Sequence, residues 1–383
     1  MARVLESRSD TTARHIFKRL DRNLGQYNVL PVKERAQAKQ IALINDETFI
    51  YFDPTDAIKK YGEEFEAISF VADGSDNHTP KPGYNISACI GLKGSEIIPL
   101  EWDIFSSAEE DYESENQKLL HQIDEIAINS KCKGTFVMDR GFDRFVIIRH
   151  LQESAINFII RMTENRHYHP LKSDPSNEHR SYSREDIIAK FSDVETRVQL
   201  DIRVKKKLVK KLFIIQSAPV GLREKIDSEK KLALVCAKAK GLMTLYFLTN
   251  IEDMTPETLV TIVEAYLNRW KVDEFIRFVK QQYKAEGFKV RSLGRIKNIH
   301  ALLFIALVVL TRISEQNTVF SKTKSLLIKH AKRVFRIPQK MKFFLYTLAD
   351  GLSEILKKIA KRILNLWHEP QKRQLQLNFA EPI

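Results

Sequence analysis

Three aspartates stand where an α/β chain would deliver ligands to one crevice. Asp53 closes the apolar run TFIYFD, Asp139 closes GTFVMD, and Asp273 lies inside a long helical stretch. Carboxylates at the carboxyl ends of neighbouring strands point into the crevice where open α/β sheets bind ligands. Gathered there they repel one another and raise each other's pKa, so an ionised cluster needs cations. Hard oxygen donors select Mg²⁺ or Mn²⁺ over zinc. Two such ions about 3.5 to 4 Å apart activate a water or a 3′-hydroxyl and stabilise the leaving oxygen of an in-line phosphoryl transfer. Taken singly, each aspartate also has a plain structural reading: a turn residue before Pro54, a turn or helix start before Arg140-Gly141, a solvated helix position.

The helix changes that balance. Thr255-Pro256 opens a stretch expected to run as one helix to about Tyr283. At 100° per residue, Tyr266, Arg269, Asp273 and Lys280 fall within a sector of about 40° and share a face. Val272, Phe275, Ile276 and Val279 occupy the adjoining arc and can pack on a sheet, leaving the polar face at the crevice rim. A carboxylate for metal, with an arginine, a lysine and a tyrosine hydroxyl for phosphate oxygens, is a coherent set. The bland reading is an exposed helix with an incidental i,i+4 Arg-Asp pair.

The surrounding pattern is that of an α/β core. TFIYFD reads as a strand, followed by β-like runs at EFEAISFVAD, YNISACIGLK and SEIIPLEW, the last two separated by a turn containing Gly94. Then come a helix (ENQKLLHQIDEIAINS), the strand GTFVMD, a helix (DRFVIIRHLQE) and the strand INFIIRM. Residues 1–45 read as a helical arm that either binds DNA through Arg14, Lys18, Arg19 and Arg22 or caps the core. The expected division is a first core part at 46–162, a β-rich, apparently all-β insertion at 163–250, a carboxylate-bearing helix segment at 251–300, and a basic helical region at 301–383. Within the insertion, Lys205, Lys206, Lys207, Lys210 and Lys211 make either a DNA-facing hairpin or a solvated edge strand guarded by lysine.

Composition narrows the partners. The 383 residues carry 62 Lys+Arg against 49 Asp+Glu, a net charge of +13 that favours polyanions, nucleic acid first. Cys89, Cys132 and Cys236 fit neither a disulfide framework nor a zinc spacing, and MARVLESRSDTTARH lacks a secretory apolar core, so a cytoplasmic protein is expected. The apolar run Ala301 to Leu310 falls short of the roughly 20 residues that span a bilayer and reads as a buried helix, with no membrane partner. His167, His169 and His179 lie in a Pro/Ser-rich polar loop and receive no ligand role.

The residues Tyr266, Arg269, Asp273 and Lys280 resemble the signature of the DDE transposases of bacterial insertion sequences: Tyr, two residues, Arg, three, Glu, six, Lys. The DRGF at 139–142 is similar to that group's second-aspartate motif, and FDPTD at 52–56 to its first. The resemblance covers roughly residues 45–300. It implies a ribonuclease-H-like mixed sheet, with a β-rich insertion between the second aspartate and the glutamate-bearing helix. It also implies binding of two Mg²⁺ ions, which Mn²⁺ can replace, by Asp53, Asp139 and Asp273, and contacts from Tyr266, Arg269 and Lys280 to the phosphates of the element end. Trp270 either stacks near an extruded base or belongs to the core, the core being favoured. The family's glutamate position holds Asp273, with Glu274 following: spacing favours the first, side-chain type the second. Asp56 is a weaker rival of Asp53.

The implied activity is cleavage at the ends of a mobile element and transfer of the freed 3′-hydroxyl into a double-stranded DNA target, in a synaptic homodimer. The alternatives are a ribonuclease-H-like nuclease without strand transfer, a transposase-derived DNA-binding protein without catalysis, and a metal phosphatase-like hydrolase. The last explains the carboxylates but not the basic charge.

Overall fold

The computed structural model describes residues 13–59, 64–74, 76, 79–171, 180–204, 207–222, 231–315, 320–332 and 344–368. Lys205, Lys206 and His179 fall outside them. Residues 29–311 make one compact unit; residues 1–28 and 312–383 make a second.

In the larger unit, helix α2 (Leu30–Ile41) precedes β1 (Phe49–Ile58), β2 (Ser69–Asp73), β3 (Thr79–Lys93) and β4 (Glu96–Phe105). There follow α3 (Glu115–Ser130), β5 (Thr135–Met138), a 3₁₀ turn at Arg140–Phe142, α4 (Phe145–Glu153), β6 (Asn157–Arg161) and β7 (Tyr168–Pro170). Next come α5 (Arg184–Phe191), β8 (Val194–Val204), β9 (Lys207–Leu222), β10 (Leu232–Ala239) and β11 (Leu245–Thr249). The helices α6 (Pro256–Leu267), α7 (Trp270–Gln282) and α8 (Leu293–Ser314) close the series. The second unit holds α1 (Ala13–Gln26), α9 (Ser321–Lys332) and α10 (Leu345–His368). There Gly351 brings α10 so close to the Leu327 carbonyl that a β-carbon would not fit.

The described strands form one mixed sheet ordered β2-β3-β1-β5-β6-β11-β10-β9-β7, with β4 paired to β3 and β8 to β9. β1, β3 and β4 are antiparallel neighbours, whereas β1, β5 and β6 run parallel. The fold is thus mixed α/β, built on one large mixed sheet. The insertion does not stand apart from the core. Its strand β11 pairs with β6 (Leu248 opposite Ile160) and carries the sheet onward through β10 to β9. Nor is it all-β, since Ser183 caps the helix α5 through the Asp186 amide.

Two expected elements differ in extent. β1 does not end at Asp53 but continues through Pro54 to Ile58, paired along its length with β3. Its parallel pairing with β5 covers only Phe49 to Tyr51, so the edge beyond is free and proline's missing N–H leaves no ladder bond unmade. The helix expected to run unbroken to Tyr283 is two helices. Between them Arg269 N bonds to Tyr266 O and Val272 N to Arg269 O, three residues back, a 3₁₀-type turn. Asn268 sits at this joint, where its backbone N–H keeps the helical bond to Glu264 O at 3.0 Å and its side-chain amide donates to the same carbonyl at 3.0 Å.

Several buried contacts fix where the helices lie. Trp102 of β4 meets Phe275 of α7 edge-on at 6.5 Å and stacks on His300 of α8, to whose Nδ1 its indole N–H donates at 3.0 Å. Burial pushes His300 down to about 3, so the ring is neutral and can accept. Lys33 of α2 reaches Glu101 of β4 at 2.6 Å, and Gln37 donates to the other oxygen of that carboxylate at 2.7 Å. Burial works against the Lys33 charge, but Glu101 and Asp103 outweigh it and hold the ammonium above its ordinary pKa. Before β5, Gly134 adopts φ +86° where a β-carbon would press on Ile44, Ile50 and Thr48 O at 3.0 Å.

Glu101→Ala leaves Lys33 buried without its main partner and is expected to cost about 3–5 kcal/mol, whereas the double replacement Glu101→Leu/Lys33→Met lies much closer to wild type. Urea unfolding of the three proteins measures both differences.

Candidate active site

The crevice forms where β1 and β5 part. β5 stops at Met138 while β1 runs on, and Asp53 and Asp139 lie at that divergence. Asp139 also starts the 3₁₀ turn, its Oδ1 accepting the Arg140 amide at 2.7 Å. The turn buries Phe142 and delivers Asp143, whose carboxylate holds Arg166 at 2.6 Å and the Thr163 hydroxyl at 2.7 Å. Asp143 is therefore structural, and it ties the segment after β5 to the segment after β6.

α6, the Asn268 joint and α7 close the crevice from above. Val272, Phe275, Ile276 and Val279 are buried, as the sequence pattern requires, and Phe278 is buried with them. Arg269 leads from the joint into the middle of the aspartates: Nη1 lies 3.5 Å from Asp53 Oδ2, and Nη2 lies 3.7 Å from Asp139 Oδ2 and 3.4 Å from Asp273 Oδ2. One guanidinium thus holds three carboxylates drawn from β1, the end of β5 and α7.

The electrostatics follow from that crowding. Burial, then a hydrogen bond to Asp273 and that residue's charge, push the Asp53 carboxyl up to about 8 against the pull of Arg269. Burial and crowding beside Asp273 thus favour the protonated form of Asp53. Asp139 has the opposite fate. Burial opposes its ionisation, but the Arg140 amide, Arg269, the Tyr266 hydroxyl and Arg161 together hold it below the ordinary carboxylate range. A trio that keeps one proton and encloses one cation is short of positive charge. Its all-oxygen donor set suits Mg²⁺ or Mn²⁺. Among the described residues, no three carboxylate, imidazole or thiolate groups stand close enough to share an ion as they are arranged. Arg269 lies between the three aspartates.

Tyr266 is buried, its ring 4.8 Å from that of Phe247, and its hydroxyl donates to Asp139 Oδ1 at 3.0 Å rather than facing solvent. Lys280 lies further along α7, paired with Asp56 at 3.1 Å and Glu286 at 2.6 Å. The two rivals face elsewhere: Glu274 pairs with Arg277 at 2.6 Å, and Asp56 with Lys280. Trp270 is half-buried with the Arg203 guanidinium of β8 4.8 Å from its ring centre, so it is neither full core nor free to stack on both faces. In the insertion Lys210 is exposed and Lys211 donates to Lys240 O at 3.3 Å. His169 bonds to Arg180 O at 3.0 Å.

Sequence reading overlooked Arg161. It donates to the Tyr266 hydroxyl at 3.2 Å and lies 3.8 Å from Asp139. The signal was present: Arg161 ends the strand beside that of Asp139, and parallel neighbours deliver their terminal residues to the same crevice. Glu286, beyond α7 in a segment with no periodicity, offered no such signal.

No curated protein matches the chain. It is similar in structure to a piggyBac transposase solved by cryo-EM as a synaptic complex with hairpin DNA, at 12% identity and a TM-score of 0.38, covering 83% of this chain. The chain spans 56% of that protein's length. The model of the transposase DDE domain matches residues 37–309, a stretch that includes all three aspartates, the Arg269 joint and Lys280, and the chain belongs to that family.

Proposed function

We propose that the chain is a Mg²⁺-dependent transposase that cuts DNA at the ends of a bacterial insertion sequence and joins the freed 3′ ends to target DNA. The observation that carries this reading is the convergence of Asp53, Asp139 and Asp273 on Arg269 where β1 and β5 part. The sheet order with antiparallel β1, β3, β4 and parallel β1, β5, β6 supports a ribonuclease-H-like core. The net charge of +13 suits a polyanionic substrate.

In this reading the three aspartates hold the divalent ions, two in number, with Mn²⁺ able to replace Mg²⁺. When bound, such ions lower the pKa of an attacking water or 3′-hydroxyl and neutralise charge on the phosphorus-bound oxygens. Tyr266 and Arg161 orient Asp139 through the hydroxyl bridge. Arg269 exchanges carboxylate oxygens for phosphate oxygens, which its planar fork matches equally well. Lys280 contacts a phosphate of the same strand. The chain acts as a homodimer that holds two element ends, in the bacterial cytoplasm at the nucleoid.

On a labelled duplex carrying the repeats that flank its gene, wild type with Mg²⁺ is expected to nick and join. Asp139→Asn and Asp273→Asn are each expected to reduce both steps by about 10²-fold or more, the scale of removing one preorganised charge-stabilising group. Glu274→Gln stays near wild type. Nicking without joined product would leave a nuclease, and binding without nicking would leave a DNA-binding protein. A second expectation concerns Arg269. Because it occupies the space among the carboxylates, Arg269→Ala is expected to bind Mn²⁺ several-fold more tightly at pH 8 in titration calorimetry while cutting DNA more slowly. Weaker Mn²⁺ binding would show that the guanidinium does not compete with the ion.

A further inference from the structure

Lys280 is held by two acids that do not belong to the aspartate trio. Asp56 Oδ1 lies 3.1 Å from its Nζ and Glu286 Oε1 lies 2.6 Å away. The second oxygen of Asp56 accepts the Gly74 backbone amide at 3.2 Å, which fixes the carboxylate from behind. Glu286 is brought into place by a pinned segment. Lys59, at the end of β1, donates to the carbonyls of Glu286 and Phe288 and lies 3.4 Å from the Phe288 ring centre. Further along, Leu293 N donates to Glu66 Oε2 at 2.7 Å.

The spacing along the two elements is matched. From Asp53 to Asp56 the strand advances about 10 Å. From Asp273 to Lys280 the helix advances about 10.5 Å. Residues three apart on a regular strand face opposite sides, so it is the ion-pair distances and not the advance that show two rungs in the same order: Asp53 with Arg269 beside Asp273, then Asp56 with Lys280. Asp56 faces the second rung.

We propose that Asp56, assisted by Glu286, is a positioning residue that presets the Lys280 ammonium as a phosphate contact for the DNA strand one rung away from the cleavage site. This rests on the reading of Lys280 as a DNA contact given above. An ammonium has three donors. Two are taken by Asp56 and Glu286, and the third is left for a phosphate oxygen at a side chain still 21% exposed. A lysine already held in place loses less rotamer freedom when the phosphate arrives than a free one would.

The test is DNA binding by fluorescence anisotropy on the same repeat duplex in EDTA, over a salt series. It compares wild type with Lys280→Ala, Asp56→Asn, Glu286→Gln and the double variant Asp56→Asn/Lys280→Ala. Lys280→Ala is expected to weaken binding and lower the slope of log K against log salt by about one. Asp56→Asn is expected to weaken binding several-fold in the same direction, Glu286→Gln to do so less, and the double variant to bind no worse than Lys280→Ala. Asparagine keeps an oxygen for the Gly74 amide, and thermal melting verifies that each variant is folded. Tighter binding by Asp56→Asn, or an equal effect with and without Lys280, would overturn the proposal, because the acid would then act on the DNA directly. Loss of Mn²⁺ affinity in Asp56→Asn would also overturn it, making Asp56 a metal ligand. If Lys280→Ala binds with unchanged slope, Lys280 is no phosphate contact and the proposal fails with it, while the Asp139→Asn cleavage result still decides the transposase reading separately.

Discussion

Three carboxylates cannot sit together in a partly dehydrated crevice without positive charge among them, and Arg269 is the guanidinium that reaches all three, with Arg161 beside Asp139. The shortfall is visible in Asp53, whose carboxyl is pushed up to about 8 by burial and the neighbouring Asp273. Asp139 stays ionised because an amide, a hydroxyl and two guanidinium groups face it. The site is therefore asymmetric before any ligand arrives, with one strong acceptor held ready and one carboxyl that must give up its proton.

The scaffold exists to bring those groups to one point. β1 and β5 run parallel for three residues and then separate, and the gap between them is the crevice. The joint at Asn268 places Tyr266 on one helix and Asp273 on the next, with Arg269 between, so hydroxyl, guanidinium and carboxylate approach from different directions. Trp102 supports α7 from beneath, with His300 as its acceptor, and links the carboxylate-bearing helix to β4 and α8. Lys33 and Glu101 anchor α2 on the same strand, β4. Small shifts in any of these would move a carboxylate relative to Arg269.

Much of this was legible in the sequence because it depends on local pattern. The strands around Asp53 and Asp139 and the buried arc of Val272, Phe275 and Val279 follow from apolar periodicity. Helix α3 spans the same residues that the pattern marks, with Ser114 capping it through the Gln117 amide. What escaped depends on long-range pairing. That β1 continues past Asp53 is decided by β3, its antiparallel partner. That the insertion extends the core sheet is decided by β11 docking on β6. The break at Asn268 is a short run of three-back bonds, at Arg269 and Val272, set against a helical pattern that otherwise reads as continuous. Asp56 read as a rival ligand because its partner Lys280 lies 224 residues away in sequence.

The central claim is that the trio around Arg269 is a divalent-metal site. Anomalous diffraction from crystals soaked in Mn²⁺ tests it most directly. The account expects a peak among Asp53, Asp139 and Asp273, with the Arg269 guanidinium withdrawn from between them. A peak at Asp56 or Glu274 instead, or a trio still closed on Arg269 at saturating Mn²⁺, would contradict it.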